Sequence, residues 1–226
     1  MARAKETVVV LDYGMSNLRS VAKALEHVSR GRHRVVVSGT AADLERAERV
    51  VFPGQGAIGE CMSHLGTMGI IEALREVVHA KPFLGICLGL QALMDWSAEG
   101  NGTAGLGLCP GRVLRFTNGV ADPKTGERLK IPHMGWNSVS PTRSHPLWAG
   151  IAPGERFYFV HSYYVAPEDQ GWIAGTTDYG SSFAAVLARD KIFAVQFHPE
   201  KSQRAGLQIL ENFLEWEPMS GSPTLA

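Results

Sequence analysis

Of the three cysteines in the chain, one has neighbours suited to a nucleophile. Cys87 stands in Gly85-Ile86-Cys87-Leu88-Gly89, after a short apolar run and before a segment of helical character. This is the cysteine form of the G-x-S-x-G elbow, where a sharp strand-to-helix turn presents the nucleophile. Glycines on both sides let neighbouring chain crowd the turn, and a helix N-terminus beside the sulfur favours thiolate. The same residues also suit a buried structural cysteine between two packing glycines.

A base is offered by Gln196-Phe197-His198-Pro199-Glu200. Residues two apart in an extended chain face the same way, so His198 and Glu200 share a face, and Pro199 stiffens the step between them. A carboxylate so placed holds one imidazole nitrogen while the other faces a nucleophile. A surface histidine followed by a glutamate capping the last helix fits these residues too. Nucleophile first and base far downstream is an order found in α/β hydrolytic folds.

Residues 54–59, in Pro53-Gly54-Gln55-Gly56-Ala57-Ile58-Gly59, match the dinucleotide fingerprint G-x-G-x-x-G. Three features make the match a decoy: Pro53 interrupts the strand-to-turn step, the motif follows the third strand, and the next strand ends at Cys87 instead of an acidic residue. The segment reads better as a glycine loop beside the elbow, presenting backbone N–H groups. Acyl transfer needs such donors for its oxyanion; the N–H of Leu88 is one candidate and an N–H near Gln55 the other. The eight histidines are dispersed without metal-ligand spacing, and no metal or cofactor is expected. His161, in Val160-His161-Ser162-Tyr163-Tyr164, reads as a structural strand histidine, with a second base as its alternative. Trp136 suits either a core or a partner contact.

These residues must be carried by alternating strands and helices. Strands are expected at Thr7–Leu11, His33–Val37, Arg49–Phe52 (ended by Pro53) and Phe83–Ile86. Helices are expected from a cap at Ser16 with Leu18, Val21, Ala22, Leu25 and Val28 on one face, over Gly69–His79, and from Leu88 to about Trp96. That alternation predicts a parallel sheet covered on both faces. The second half adds strands at Arg112–Phe116, Arg156–Val160, Trp172–Thr177, Phe183–Ala188 and Ile192–Phe197, a polar hairpin or loop at Asn118–Lys130, and a last helix over Ser202–Glu215. Its Leu207, Leu210, Phe213 and Leu214 share a face, and Pro218–Ala226 reads as a loose tail. A single domain over 1–226 with a core of about 7–216 is the economical reading.

Composition narrows the partners. Lys+Arg and Asp+Glu balance at 22 each, which argues against nucleic acid. Apolar residues make up 45% and charged residues 19%, values of a globular chain. No apolar run approaches a membrane span, and the start leads straight into a strand without a signal peptide. The odd cysteine count without C-x-x-C spacing fits a reducing, cytoplasmic setting.

With Cys87, His198 and Glu200 in this order, the chain resembles the class I, triad-type glutamine amidotransferases from about Val8 to Trp216. It is most similar to the family of glutaminase subunits of imidazole glycerol phosphate synthase. LDYGMSNLRSV (11–21), FPGQGA (52–57), GICLGLQ (85–91), PHMGWN (132–137), YFVHSYY (158–164) and QFHPEKS (196–202) carry the resemblance. Gln55 and Leu90 depart from the family's pattern, and neither belongs to the triad. The resemblance implies a flavodoxin-like α/β/α three-layer fold with added antiparallel strands. It implies Cys87 as nucleophile, His198 as acid and base, and Glu200 as its orienter. Gln91 and backbone groups around Gly54, Gln55, Gly56, Leu88, Ser162 and Tyr163 would bind L-glutamine and its oxyanion. It also implies a heterodimer with a (β/α)₈-barrel cyclase that takes the ammonia, met around Trp136, Tyr158 and Lys201. The amidotransferase pattern uses up the chain, so the acceptor chemistry is expected on another polypeptide. Glycines flanking Gln55 would let its peptide turn its N–H toward or away from the oxyanion, a gate that the partner is expected to set to the N–H-in state.

Overall fold

The computed structural model describes residues 5–14, 18–117, 119–121 and 126–218. The first half runs β1 (Thr7–Leu11), α1 (Leu18–Ser29), β2 (Arg34–Ser38), α2 (Ala41–Arg46), β3 (Arg49–Gly54), α3 (Ile58–Thr67), α4 (Ile71–Ala80), β4 (Phe83–Cys87) and α5 (Leu88–Gln91). Then come β5 (Met94–Ser97), β6 (Thr103–Ala104), β7 (Cys109–Arg115), β8 (His133–Ser138) and β9 (Ser140–Pro141). The chain continues with β10 (Arg156–His161), β11 (Tyr163–Pro167), β12 (Ile173–Asp178), β13 (Ser182–Arg189), β14 (Ile192–Val195) and α6 (Gln203–Glu215).

The main sheet has the order β2-β1-β3-β4-β14-β13-β11-β7-β5-β6, with β12 added beside β13 and β9 beside β12. Its first five strands are parallel. From β13 onward the pairing is antiparallel except for β5 on β7. Side chains of the parallel strands alternate between two cores. Val8 and Val10 face the core shared with α1 and α6, whereas Val9 and Leu11 face the one filled by α2, α3 and α4. This is the expected three-layer α/β/α arrangement, with helices on both faces of a parallel sheet. A separate antiparallel pair, β8 with β10, runs in register from Arg156↔Ser138 to His161↔His133.

Several sequence expectations need correction. Pro53 does not end the third strand: β3 continues through Pro53 and Gly54, paired to Ile86 and Cys87 of β4. Its ladder with β1 stops at Val51, so the missing N–H of Pro53 breaks no rung on that side. The helix expected over Leu88–Trp96 lasts only four residues. The backbone carbonyls of Ala92 and Leu93 accept instead from Leu106, Leu108 and Cys109, and Met94–Ser97 become β5. Tertiary pairing overrides a helical pattern of apolar residues here. The last helix begins at Gln203, after a 3₁₀ turn over Pro199–Lys201, and buries Ile209 more fully than Leu207. The predicted cap Ser16 and most of the predicted tail lie outside the described residues, as does part of Asn118–Lys130, whose ends meet in an Ala121–Arg128 bridge.

The C-terminus of α6 is tied to the start of β3 by one buried cation. Arg49 donates to the carbonyls of Phe213 (3.2 Å) and Trp216 and pairs with Glu217 at 2.7 Å. Carbonyls at a helix end lack intrahelical donors, so Arg49 serves as a C-cap from a distant strand. Arg49→Ala leaves two buried carbonyls without it and is expected to cost about 2–3 kcal/mol in urea unfolding; an unchanged midpoint would contradict this role.

Candidate active site

Cys87 ends β4 and begins α5 with φ 54 and ψ −101, a left-handed-side conformation that a residue with a Cβ adopts only under strain. The strain is held by contacts that tolerate no extra atom. A Cβ on Gly89 would collide with the Phe52 carbonyl, one on Gly85 would stand 2.9 Å from the Gly89 oxygen, and one on Gly54 would stand 2.6 Å from the Leu88 Cβ. Gly54 is therefore a packing glycine in β3, not half of a flexible loop. A swinging peptide at Gln55 has only Gly56, at φ 93, to lend it freedom. Alanine at Gly54 would disturb the elbow itself and alanine at Gly56 would be strained at φ 93, so neither substitution separates gating from folding.

The base approaches from the neighbouring parallel strand. His198 follows β14, and its Nδ1 lies 2.9 Å from Glu200 Oε1, both side chains being almost fully buried. Glu200 does not cap α6, whose N-cap is Ser202. Ser202 Oγ donates to the His198 carbonyl at 2.6 Å and accepts from the Tyr158 N–H at 2.9 Å, and the His198 N–H donates to the Tyr158 carbonyl. Gly206 packs on the Pro199 carbonyl where a side chain would not fit. These contacts fix the imidazole on the backbone of β10. Its Nε2 is buried, has no hydrogen-bond partner of ordinary geometry, and faces the Cys87 sulfur closely enough to be coupled to it. Burial alone would depress the imidazole's pKa; charge on Cys87 and on Glu200 outweighs it and pushes the value up to about 10. Cys61 and Cys109 are fully buried elsewhere, and burial pushes each thiol up to about 12.

Beside the sulfur is a cavity of about 210 Å³ lined by Gln55, Gly56, Cys87, Leu88, Gln91, Ser162 and Tyr163, with Glu99, Pro132, Val160 and His161 completing the wall. The structure thus brings the sequence-predicted glutamine-binding residues to one place, with Gly54 directly behind them. Glu99 is new. Its carboxylate accepts from the Ile58 N–H at 2.8 Å and so occupies the N-terminus of α3, the position a dinucleotide's pyrophosphate would need. Strand, turn and helix do surround the G-x-G-x-x-G match, contrary to the argument from Pro53, and it is Glu99 that removes the anion site. Trp136, Tyr158 and Lys201 gather on a different face. Trp136 meets Tyr158 edge-to-face at 6.2 Å, and Lys201 Nζ stands 6.0 Å over the Tyr158 ring. Trp136 is 38% exposed and its neighbour Met134 62%.

His161 proves to be a satisfied strand histidine. Its Nδ1 lies 2.7 Å from the Tyr163 carbonyl and its Nε2 3.0 Å from His133 Nδ1, while His133 Nε2 is 3.2 Å from Asn137 Nδ2. A carbonyl only accepts, so His161 carries its proton on Nδ1. His133 must then donate from Nδ1 and accept at Nε2 from Asn137, which also donates to the Asp178 carbonyl. Both rings are neutral, since burial pushes His133 down to about 4 and His161 to about 3. Sequence spacing shows neither this relay nor Gln196, whose side chain is fully buried beside Cys87. The partners of both lie on strands distant in sequence.

A strained cysteine elbow, a carboxylate-held imidazole and a small cavity thus meet at one place on an α/β fold. The profile of the glutamine amidotransferase class-I family matches residues 9–216, and the chain belongs to that family. Curated relatives include the protein named imidazole glycerol phosphate synthase subunit HisH in Aromatoleum aromaticum, 54% identical over 93% of this chain and 99% of that one. The protein of the same name from Methylococcus capsulatus is 55% identical over 95% and 98%. Among solved structures, one glutamine amidotransferase superposes with TM-score 0.66 at 18% identity, covering 92% of this chain and 97% of that one. Another, from Thermotoga maritima, gives 0.62 at 17%, over 90% and 80%. Both agree on the fold.

The neutral histidine pair sets an acid limit on stability. Unfolded, both rings regain an ordinary pKa near 6.5, whereas folded they resist protonation down to about 4 and about 3. The unfolded chain therefore binds more protons below about 6.5. Unfolding free energy is expected to fall as pH drops from 6.5 toward 4, and His133→Asn should flatten that limb of a pH series of urea titrations. An equally steep limb in the variant would refute the assignment.

Proposed function

We propose that this chain is the glutamine-hydrolysing subunit of an imidazole glycerol phosphate synthase, acting as one amidotransferase unit in the cytoplasm. The observation that carries this reading is the Cys87 sulfur between the Glu200-held His198 and the small cavity. Identity above 50% to relatives bearing that subunit's name supports the choice of pathway.

L-glutamine enters the cavity with its side-chain amide at Cys87. The thiolate attacks the amide carbon, and the oxyanion is met by the Leu88 N–H and by an N–H of the Gln55–Gly56 turn. His198 gives its proton to the departing ammonia, leaving a γ-glutamyl thioester. It then takes a proton from water, whose oxygen attacks the thioester and releases glutamate and thiolate. Glu200 keeps the imidazole oriented throughout. Gln91, Ser162 and Tyr163 hold the amino-acid end of the substrate. Ammonia passes to a (β/α)₈-barrel cyclase seated on the Trp136, Tyr158 and Lys201 face, where exposed Met134 adds apolar area.

Glutamine hydrolysis measured with and without the barrel cyclase and its ligand tests the reading. The isolated chain should turn over slowly and the liganded assembly faster by about 10²–10³, the worth of one oxyanion donor; equal rates would refute the coupling. Cys87→Ala should abolish glutamine-dependent synthesis and spare synthesis from added ammonia, whereas Cys61→Ala should keep turnover. Glu200→Gln should lose part of the rate, and full activity there would reduce Glu200 to a structural role.

A further inference from the structure

Gln196 has no part in the triad or the cavity wall, yet its Nε2 lies 3.5 Å from Cys87 Sγ. Which end of its amide faces the sulfur follows from the partners behind it. The Tyr163 carbonyl only accepts, so the Gln91 atom 3.1 Å away is the nitrogen. That same nitrogen lies 3.1 Å from the nearer Gln196 atom, which must then be the oxygen. The NH₂ of Gln196 is left pointing at Cys87. His161 Nδ1 shares the Tyr163 carbonyl and anchors the other end of this chain.

The sulfur needs such a donor. With only four residues, α5 brings little of the dipole expected of the elbow's helix. The titratable groups facing Cys87 are His198 from the loop after β14, with Glu200 behind it, and Tyr13 from the end of β1, a phenol held neutral by burial. Glu99 stands on the cavity rim, and the histidine pair behind Tyr163 is uncharged. His198 is the one cation among these groups, and it surrenders its proton during turnover.

We propose that Gln196 donates an N–H to the Cys87 sulfur and holds it as thiolate, with Gln91 as a positioning residue that fixes the direction of the donor. The proposal rests on the reading of Cys87 as nucleophile. An amide does not exchange its proton in the reaction, so this donor persists when the imidazolium does not. In thioester hydrolysis, His198 takes a proton from water, the water oxygen bonds to the acyl carbon, and the C–S electron pair leaves on sulfur. Gln196 meets that departing charge, and the imidazolium–thiolate pair is restored.

The test is the pH dependence of Cys87 alkylation by iodoacetamide on the full chain without glutamine, the modified cysteine being located by peptide mass. Gln196→Met keeps the length of the side chain and removes the donor. The rising limb of its profile should move about one unit to higher pH, about tenfold less thiolate at a given pH on that limb. Gln196→Glu, which presents an acceptor, should move it further. Gln91→Met, which frees the amide to turn, should move it in the same direction by less. A purely structural glutamine would alter thermal unfolding and leave the alkylation limb in place. A limb superimposable on the wild type in folded Gln196→Met overturns the proposal, and should that variant not fold, an unmoved limb in Gln91→Met does so. A moved limb beside an assembly that hydrolyses no glutamine would retire the proposed function and leave Gln196's role standing.

Discussion

The structure turns on a junction with no spare room, where β3, β4 and α5 meet. Cys87 is held at φ 54 because the chain on either side of it cannot relax. Gly89 lies against the Phe52 carbonyl, Gly85 against Gly89, and Gly54 against Leu88 and the Tyr13 hydroxyl. Each glycine is required by a close approach of backbone, and the approaches are set by parallel pairing that aligns Gly54 with Cys87. A central parallel strand buried on both faces supplies the rigidity. Strain at one residue is thus sustained by the packing of three elements, as expected where a side chain must be presented outward from a crowded turn.

Around that junction the interior is arranged to refuse charge nearly everywhere. Burial keeps Tyr13 and Cys61 protonated and keeps His133, His145 and His161 neutral at ordinary pH. Each of the paired histidines satisfies its nitrogens through a chain of neutral donors and acceptors, so neutrality leaves no orphaned polar atom in the relay. At His198 the balance reverses, because Glu200 and the cysteine outweigh desolvation. Histidines of similar burial thus differ by several pH units, and the difference is made by carboxylate and sulfur neighbours, not by depth.

What can be read from the sequence is what lies close along the chain. The elbow and the His198–Glu200 pair are local patterns, and the structure places them as their spacing implies. The parallel strands and α1 and α6 are legible through their alternating or helical burial. The helix expected beyond Leu88 stops short because its carbonyls find donors in residues 106–109, which local periodicity does not register. The segment after Gly56 reads as loop, although Ile58 begins a ten-residue helix whose first N–H is capped by Glu99 from far downstream. Gln196 stands inside QFHPEKS without a role of its own, since its meaning depends on Gln91 in α5 and Tyr163 in β11, which lie far from it in sequence.

Cys87 and His198 leave adjacent parallel strands, but the chain after each strand is held differently. Cys87 is fixed to the parallel sheet through β4. The loop carrying His198 is clasped to β10, through the His198 N–H on the Tyr158 carbonyl and Ser202 bridging the Tyr158 N–H to the His198 carbonyl. Among the described residues β10 pairs with β8 alone, and the exposed Met134 and Trp136 stand on β8. A load on those side chains reaches the His198 loop through the β8–β10 ladder and the Tyr158 and Ser202 hydrogen bonds, while β14, paired to β4, holds the same loop to the sheet that carries Cys87. Displacements of about 1 Å at a reacting group cost about 10² in rate, so a small shift of the two-stranded sheet against the main one is enough to alter alignment. The His198 loop is thereby tied both to the main sheet, through β14, and to the strand pair that carries Met134 and Trp136, through Tyr158 and Ser202.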